Sequence, residues 1–348
     1  MTSKERVLAA VGRKPVDRPC VDYQANADVS EALCRHLDVL DVEALRRALG
    51  SDLRNLVSAA PYIGDPIPAL PDGTVRDYWR IPNSQGTYSA RAYRPPLRDA
   101  RTVADVEAHP WPSPSDFDYS GLRGVCESLS EYALCGGGWS PLLCTAMHLT
   151  GMEEFFMLMA GNAAVAEAIL QHVTEFFYEY TQRYFEATRG VLDIFFMGDD
   201  YGLQSGPMMS QGMFRRFLMP HICSLFELAK SYDLLVMMHS CGSIRAFIPD
   251  LMDAGMEMLD PIQVRAEGMD VESLKRDFGS HITFHGSIDT QQTLPFGSVQ
   301  QVEAEVRARL ELFAPDGGFI CCGSQDYMID IPLENLIAIY RTCGSATV

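Results

Sequence analysis

From Asp116 to the C-terminus one arrangement recurs: a short apolar run ends in a cluster of Gly, Ser, Asp, His or Cys, and a stretch with helical spacing follows. YALCGGGWSPLL precedes MEEFFMLMAG, VLDIFFMGDDYG precedes SQGMFRRFLMPHICSLFELAKSY, and LLVMMHSCGSI precedes AFIPDLMDAG. MEMLDPIQV, ITFHGSID and GFICCGSQD repeat the pattern ahead of VESLKRDFG, VQQVEAEVRARLELFA and PLENLIAIYRT. Strand and helix alternating in this way demand a parallel sheet with helices outside it. No GxGxxG turn and no P-loop opens any of these helices. The number of units and the 348-residue length therefore favour an α/β chain closed as a (β/α)8 TIM barrel over a doubly wound sheet. In such a barrel chemistry sits at the C-terminal ends of the strands, where the polar clusters fall.

The N-terminal part has a different texture. KERVLAAVG, with Thr2 and Ser3 as capping candidates, and then EALCRHL and VEALRRALG carry helical spacing and predict a helical extension. Residues 60–114 turn Pro-, Gly- and Tyr-rich, as in PYIGDPIPALPDGT and GTYSARAYRPPL, which predicts short strands and loops. No linker or tandem repeat separates these parts. The expectation is one domain over 1–348, with a cap and the first strands in 1–115 and the main barrel in 116–348.

Charge removes several classes of function. The 28 Lys+Arg against 46 Asp+Glu leave a net charge of −18, so general attraction to nucleic acid or to an anionic membrane surface is excluded. The opening MTSKERVLAAVGRK lacks a charged-then-apolar signal segment, and no run approaches the ~20 apolar residues of a membrane span. A cytoplasmic location is expected. In a reducing compartment the 10 cysteines do not build a disulfide framework. Cys34, Cys126, Cys223 and Cys343 read as small buried hydrophobes, which leaves others as candidate ligands.

The sharpest local feature is Met238-His239-Ser240-Cys241-Gly242. An imidazole and a thiol two residues apart leave the same side of a strand, so His239 and Cys241 can face the barrel mouth together and bind one soft cation. GGFICC should form the last strand, and a third sulfur there completes a His-Cys-Cys set with an open position, the arrangement of catalytic zinc. Alternation sends Cys321 and Cys322 to opposite faces and does not settle which points inward; Cys322 is preferred because it lies nearer the strand end.

Other strand ends supply candidates around this core. Asp199 and Asp200 repel one another and lose solvation unless a substrate, an amide or a metal-bound group compensates; the alternative is a loop cap. His285 ends ITFHGSID and can orient a substrate or a partner, or be a satisfied structural group. Gln263 offers a neutral donor and acceptor. The glycines before Trp139 let an aromatic face approach a ligand, and Met197 with its neighbouring methionines suggests an adaptable rim, although both also read as turn and core.

GDDYGLQSGPMMSQGMFRRFLMPH, MHSCGSIRAFIPDLMDAGMEMLDPIQV, FHGSIDTQQTLPFGS and GGFICCGSQDYMIDIPLENLIAIY together resemble the uroporphyrinogen decarboxylase superfamily, most closely its corrinoid-dependent methyltransferase, O-demethylase-like branch. The resemblance starts at SKERVLAAVGRKPVDRP and is most specific over 198–340. The decarboxylase proper carries an arginine-rich RQAGR-type segment, where this chain reads CVDYQANADVS. The methyltransferases carry a zinc-binding His-x-Cys, matched by His239 and Cys241, and a later ligand near Ser324 or Gln325. Cys322, Cys321 and Gln325 are thus the positions from which a third ligand would come. What the resemblance implies is zinc-dependent methyl transfer between a small methylated, most plausibly methoxylated, substrate and a corrinoid (cobalamin) cobalt, with Asp199, Asp200, His285 or Tyr201 orienting the substrate. The chain has no DxHxxG-type corrinoid segment, so the cobalt would arrive on a separate corrinoid protein. Pairing among relatives implies a homodimer. The competing expectations are a metal-free decarboxylase using Asp199 or Asp200 and a non-catalytic binding protein.

Overall fold

The computed structural model describes residues 1–71, 73–82 and 94–347. Among them eight strands form one all-parallel sheet in chain order: β1 (Cys20–Val21), β2 (Leu53–Asn55), β3 (Ala133–Gly136), β4 (Ile194–Gly198), β5 (Leu235–His239), β6 (Met258–Ile262), β7 (Thr283–Ile288) and β8 (Phe319–Gly323). β8 pairs with β1, and the seam between β1 and β2 is spanned by the Asp52 N–H donating to the Val21 carbonyl at 2.9 Å. The sheet is therefore a barrel, as the alternation of apolar runs and helices requires.

Strands buried on both faces are apolar along their length, and alternation sorts their side chains into two layers. Leu53, Cys135, Ile194, Phe196, Met237, Met258 and Ile320 fill the barrel interior, while Leu134, Phe195, Val236, Leu259 and Phe284 pack against the helices outside. The outer layer includes the 25-residue helix Ala163–Ala187, which buries Ile169, Val173, Phe177 and Tyr184 at helical spacing.

The N-terminal helices predicted from spacing form. α1 (Ser3–Val11) starts with a capping box between Thr2 and Glu5. It contributes Val7 and Ala10 to the interior layer, and the Gly318 N–H donates to the Ala10 carbonyl just before β8. α1 thus closes the end of the barrel where the strands begin, so the opposite end remains for chemistry. α2 (Ala27–Leu37) and α3 (Val42–Leu49) connect β1 to β2; α3 is capped by Asp41, whose carboxylate accepts the Ala44 N–H.

Two expectations change. The short strands predicted over 60–114 reduce, among the described residues, to isolated bridges such as Tyr62 with Phe117 and Arg76 with Pro82, beside one short helix at Val103–Glu107. Much of GTYSARAYRPPL lies outside the described residues. Of the four cysteines read as buried hydrophobes, Cys126 and Cys343 are buried, whereas Cys34 and Cys223 lie on helices and are only partly covered. Among the described residues, no helix is long and apolar enough to cross a membrane.

Candidate metal centre

β5 ends at His239, on the inward-facing register it shares with Met237. Two residues on, Cys241 returns to the same side: its Sγ lies 3.5 Å from His239 Nε2. Asp200, just past β4, brings Oδ1 to 3.7 Å from the same nitrogen, and this oxygen also accepts the Cys241 N–H at 2.8 Å. Among the described residues Asp200, His239 and Cys241 form the group whose donor atoms all lie within 4.8 Å of one another.

The loops after β4 and β5 are locked together. The Tyr201 N–H donates to Ser240 Oγ at 2.9 Å and the Ser243 N–H to the Leu203 carbonyl at 2.8 Å. Gly242 has φ +82° and lies against Gly202 so closely that a Cβ on it would come within 2.3 Å of the Gly202 carbonyl carbon. Only glycine combines that backbone angle with that approach.

Behind the donor group stands a buried chain of charges. Asp260 on β6 places Oδ2 2.5 Å from Nδ1 of His239 and Oδ1 2.5 Å from Nδ1 of His285. His285 Nε2 lies 3.2 Å from Oδ2 of Asp22, whose other oxygen accepts the Tyr23 N–H and the Ser51 hydroxyl. Burial opposes charge on His285, yet the Asp260 and Asp22 carboxylates outweigh it and raise its pKa to about 9. His239 is likewise held above its ordinary value, burial being overcome by the charge and hydrogen bond of Asp260. Burial pushes Asp260 up, but the two imidazoles win and hold it below the usual carboxylate range. Fixing Nδ1 on Asp260 turns Nε2 toward Cys241 and Asp200, the way metal-binding imidazoles are oriented by a carboxylate behind them.

A cavity of about 660 Å³ opens over this group. His239, Asp199, Asp200, Trp139, Cys144, His148, Phe196 and Gln325 line it, together with Asp22, Tyr23, Gln24, Arg46 and Asp326. The Trp139 ring lies 5.2 Å from the His239 ring, centroid to centroid. It rests on Gly198, where a Cβ would meet Cζ2 at 2.1 Å. The glycine at the end of β4 therefore admits the indole.

The structure brings together His239, Cys241, Asp200 and Trp139 and sets other predicted residues apart. Cys322 is not in the donor group: its Sγ faces the Tyr327 hydroxyl at 3.9 Å, and that hydroxyl also accepts the Gly323 N–H at 3.1 Å. Burial, with the nearby Asp22 and Asp260 charges, pushes the Cys322 thiol well above its ordinary pKa. Cys321 turns outward toward Cys343. The β8 loop instead offers Gln325, whose Nε2 donates to Cys241 Sγ at 2.9 Å. Asp199 accepts the Leu143 and Cys144 N–H groups at 2.5 and 2.9 Å, capping the helix Leu142–Thr150, which has no side-chain cap of its own. Burial, against those hydrogen bonds, pushes its pKa up to about 7. Tyr201 is fully buried against Phe214, and Met197 faces the helix layer, since its neighbour Phe196 points inward. Gln263 braces the turn after β5, its Oε1 accepting the Gly242 N–H at 2.7 Å. His285 orients Asp260 rather than lining the cavity.

Asp260 and Asp22 are not among the residues that motif and spacing single out in the sequence. The signal for Asp260 was present: a carboxylate inside the apolar run MEMLDPI is inside the protein, and a buried carboxylate needs partners.

The donor set fits a divalent metal. Bonds of about 2.0–2.3 Å to a tetrahedral ion place its donors about 3.3–3.8 Å apart, and the 3.5 and 3.7 Å separations fall in that range. A thiol, an imidazole and a carboxylate suit zinc.

Comparison with known proteins adds three findings. The family model described as uroporphyrinogen decarboxylase (URO-D) matches residues 89–345. The methylcobamide:CoM methyltransferase MtaA of Methanosarcina barkeri is 27% identical over 210 residues, 58% of this chain and 56% of that protein; its counterpart from strain Fusaro / DSM 804 is 26% identical over 210 residues. The match thus spans a little over half the length of those relatives. A solved structure, a methyltransferase from Methanosarcina mazei, is similar over 99% of this chain and 98% of that chain, at a TM-score of 0.65 and 21% identity, a likeness of fold.

Proposed function

The chain belongs to the uroporphyrinogen decarboxylase (URO-D) family, and from that premise we propose that it is a zinc-dependent methyltransferase. The methyl group passes between a small methylated, methoxylated substrate and the cobalt of a separate corrinoid protein. The observation that carries this reading is the Asp200, His239 and Cys241 group, whose donor atoms lie within 4.8 Å of one another at the wall of a substrate-sized cavity. The partial relationship to a methylcobamide methyltransferase supports the same chemistry.

In this reading His239, Cys241 and Asp200 hold the zinc. Bound there, zinc supplies a Lewis acid for the heteroatom that carries or receives the methyl group. Asp260 keeps His239 on its Nδ1–H tautomer, and His285 and Asp22 fix Asp260 in turn. Gln325 donates to the Cys241 sulfur and tempers its charge. Trp139, seated on Gly198, covers His239 and excludes water from one side. The methyl carbon must reach the open cavity, so the corrinoid partner docks at the mouth. With a net charge of −18, its docking patch is local.

A metal-free decarboxylation through Asp199 is less well supported, because both of its oxygens are engaged by helix amides. Two measurements test the proposal. Anaerobically purified protein should hold about one zinc per chain, and a Co(I) corrinoid protein with a methoxylated donor should gain the visible spectrum of a methylated cobalt. Absence of zinc, or spectral silence across a panel of methyl donors, overturns it.

A further inference from the structure

Arg46 stands apart from the arginines around it. Arg47 pairs with Glu43 and Glu131, Arg54 with Glu43, and Arg18 with Asp52. Arg46 is half-buried on α3 and lines the cavity, yet among the described residues its guanidinium has no ion pair and no hydrogen bond. A guanidinium that faces a cavity with no protein acceptor keeps its donors available to a bound ligand. It is also the one Lys or Arg among the described residues of the cavity wall.

The carboxylates of the same wall do not compensate it. Asp22 is held by His285, Asp199 by the helix amides, and Asp200 by the Cys241 N–H. Asp326, on the loop after β8, makes no ion pair with Arg46 among the described residues, and burial together with the Asp260 and Asp22 charges raises its pKa.

Position gives the unpaired cation a purpose. α3 lies in the connection between β1 and β2, and β1 stands four strand places from β5 in an eight-stranded barrel. That is the far side of the cavity from His239 and Cys241. A molecule fixed at Arg46 spans the cavity toward the metal centre.

We infer that Arg46 is the anchor for an oxyanion, a carboxylate or sulfonate, at the end of the substrate opposite its methyl group. The inference rests on the methyl-transfer reading for which end of the substrate reacts. Arg46 binds a planar oxyanion in a bidentate, charge-assisted pair and so selects an anionic substrate in a chain whose net charge repels one.

The test is equilibrium binding to the full, zinc-loaded chain without corrinoid, followed by calorimetry and by quenching of tryptophan fluorescence, since Trp139 lines the cavity. The probes are 3-methoxybenzoate, 3-methoxybenzenesulfonate and neutral 3-methoxybenzyl alcohol, aromatic because Trp139, Tyr23 and Phe196 offer flat walls. The wild type should bind at least one anion more tightly than the alcohol, and the ratio between the two anions names the headgroup. Arg46→Gln should weaken that anion on the order of tenfold to a hundredfold and leave the alcohol unchanged, with Arg46→Lys in between. Because no partner is lost, thermal unfolding of the Gln variant should match wild type. No anion preference in the wild type, or an equal effect of Arg46→Gln on all three probes, overturns the anchor. The two readings fail separately: Arg46-dependent anion binding without cobalt methylation removes the methyl-transfer reading alone, and methylation indifferent to Arg46→Gln at limiting donor removes the anchor alone.

Discussion

Oδ2 of Asp260 lies 2.5 Å from Nδ1 of His239, and that single contact decides what His239 can do. It consumes the proximal nitrogen and leaves Nε2 facing the Cys241 thiol and the Asp200 carboxylate. The same carboxylate holds His285 with its other oxygen, so the imidazole at the cavity wall is fixed from a buried network rather than from the surface.

Asp260→Asn keeps the shape but has one acceptor oxygen for two imidazole donors. Zinc affinity should fall on the order of 10- to 100-fold, the usual cost of losing an outer partner of a metal-binding histidine. Competition with a chromophoric chelator reads this directly, and unchanged affinity would sink the assigned role.

His285 makes stability depend on pH. Its pKa is raised in the folded protein, from 6.5 to about 9. The folded state therefore binds the extra proton between those values, and its contribution is complete below about pH 6.5 and lost as pH rises through about 9. Urea unfolding of the wild type should show stability declining across that window by up to about 3 kcal/mol. His285→Gln should be less stable at pH 6 and flatter from pH 6 to 9; a parallel slope in the two proteins would contradict the ion network.

Asp199 is assigned to the N-terminus of the helix Leu142–Thr150. Asp199→Ala should cost about 1–3 kcal/mol in unfolding free energy, and Asp199→Asn less because one acceptor survives. Zinc content should be unaffected in both. Wild-type stability in Asp199→Ala would return this carboxylate to the list of groups free for catalysis.

Cys241 and Cys322 should separate cleanly. Cys241→Ala is expected to lose zinc, whereas Cys322→Ala should retain about one zinc per chain and lose about 1–2 kcal/mol of stability from the vacated volume beside Tyr327. Metal analysis of the two purified variants decides it; zinc lost from Cys322→Ala would restore that thiol as a ligand.

His239 and Cys241 were legible in the sequence because their pairing is local. Two residues apart at a strand end, they share a face whatever the rest of the chain does. The barrel itself was legible for the same reason, as each unit announces its strand and helix by periodicity. Asp199 and Asp200 were legible as a costly pair, but not their division of labour: one caps a helix, the other faces the imidazole.

Everything that required two distant segments to meet was decided by the tertiary structure. Adjacent cysteines at the end of β8 gave the sequence two candidate thiols. The fold turns one to the outer helices and covers the other with Tyr327, so that Gln325 reaches Cys241 from that loop. Asp22, Asp260 and His285 come from separate segments of the chain and meet because positions on β6, on β7 and just past β1 converge inside one closed barrel. Arg46 looks like a helix-surface charge in VEALRRALG and becomes a cavity residue because α3 sits at the seam between β1 and β2. Periodicity fixes which residues share a face of one element; barrel closure and loop folding set which faces meet.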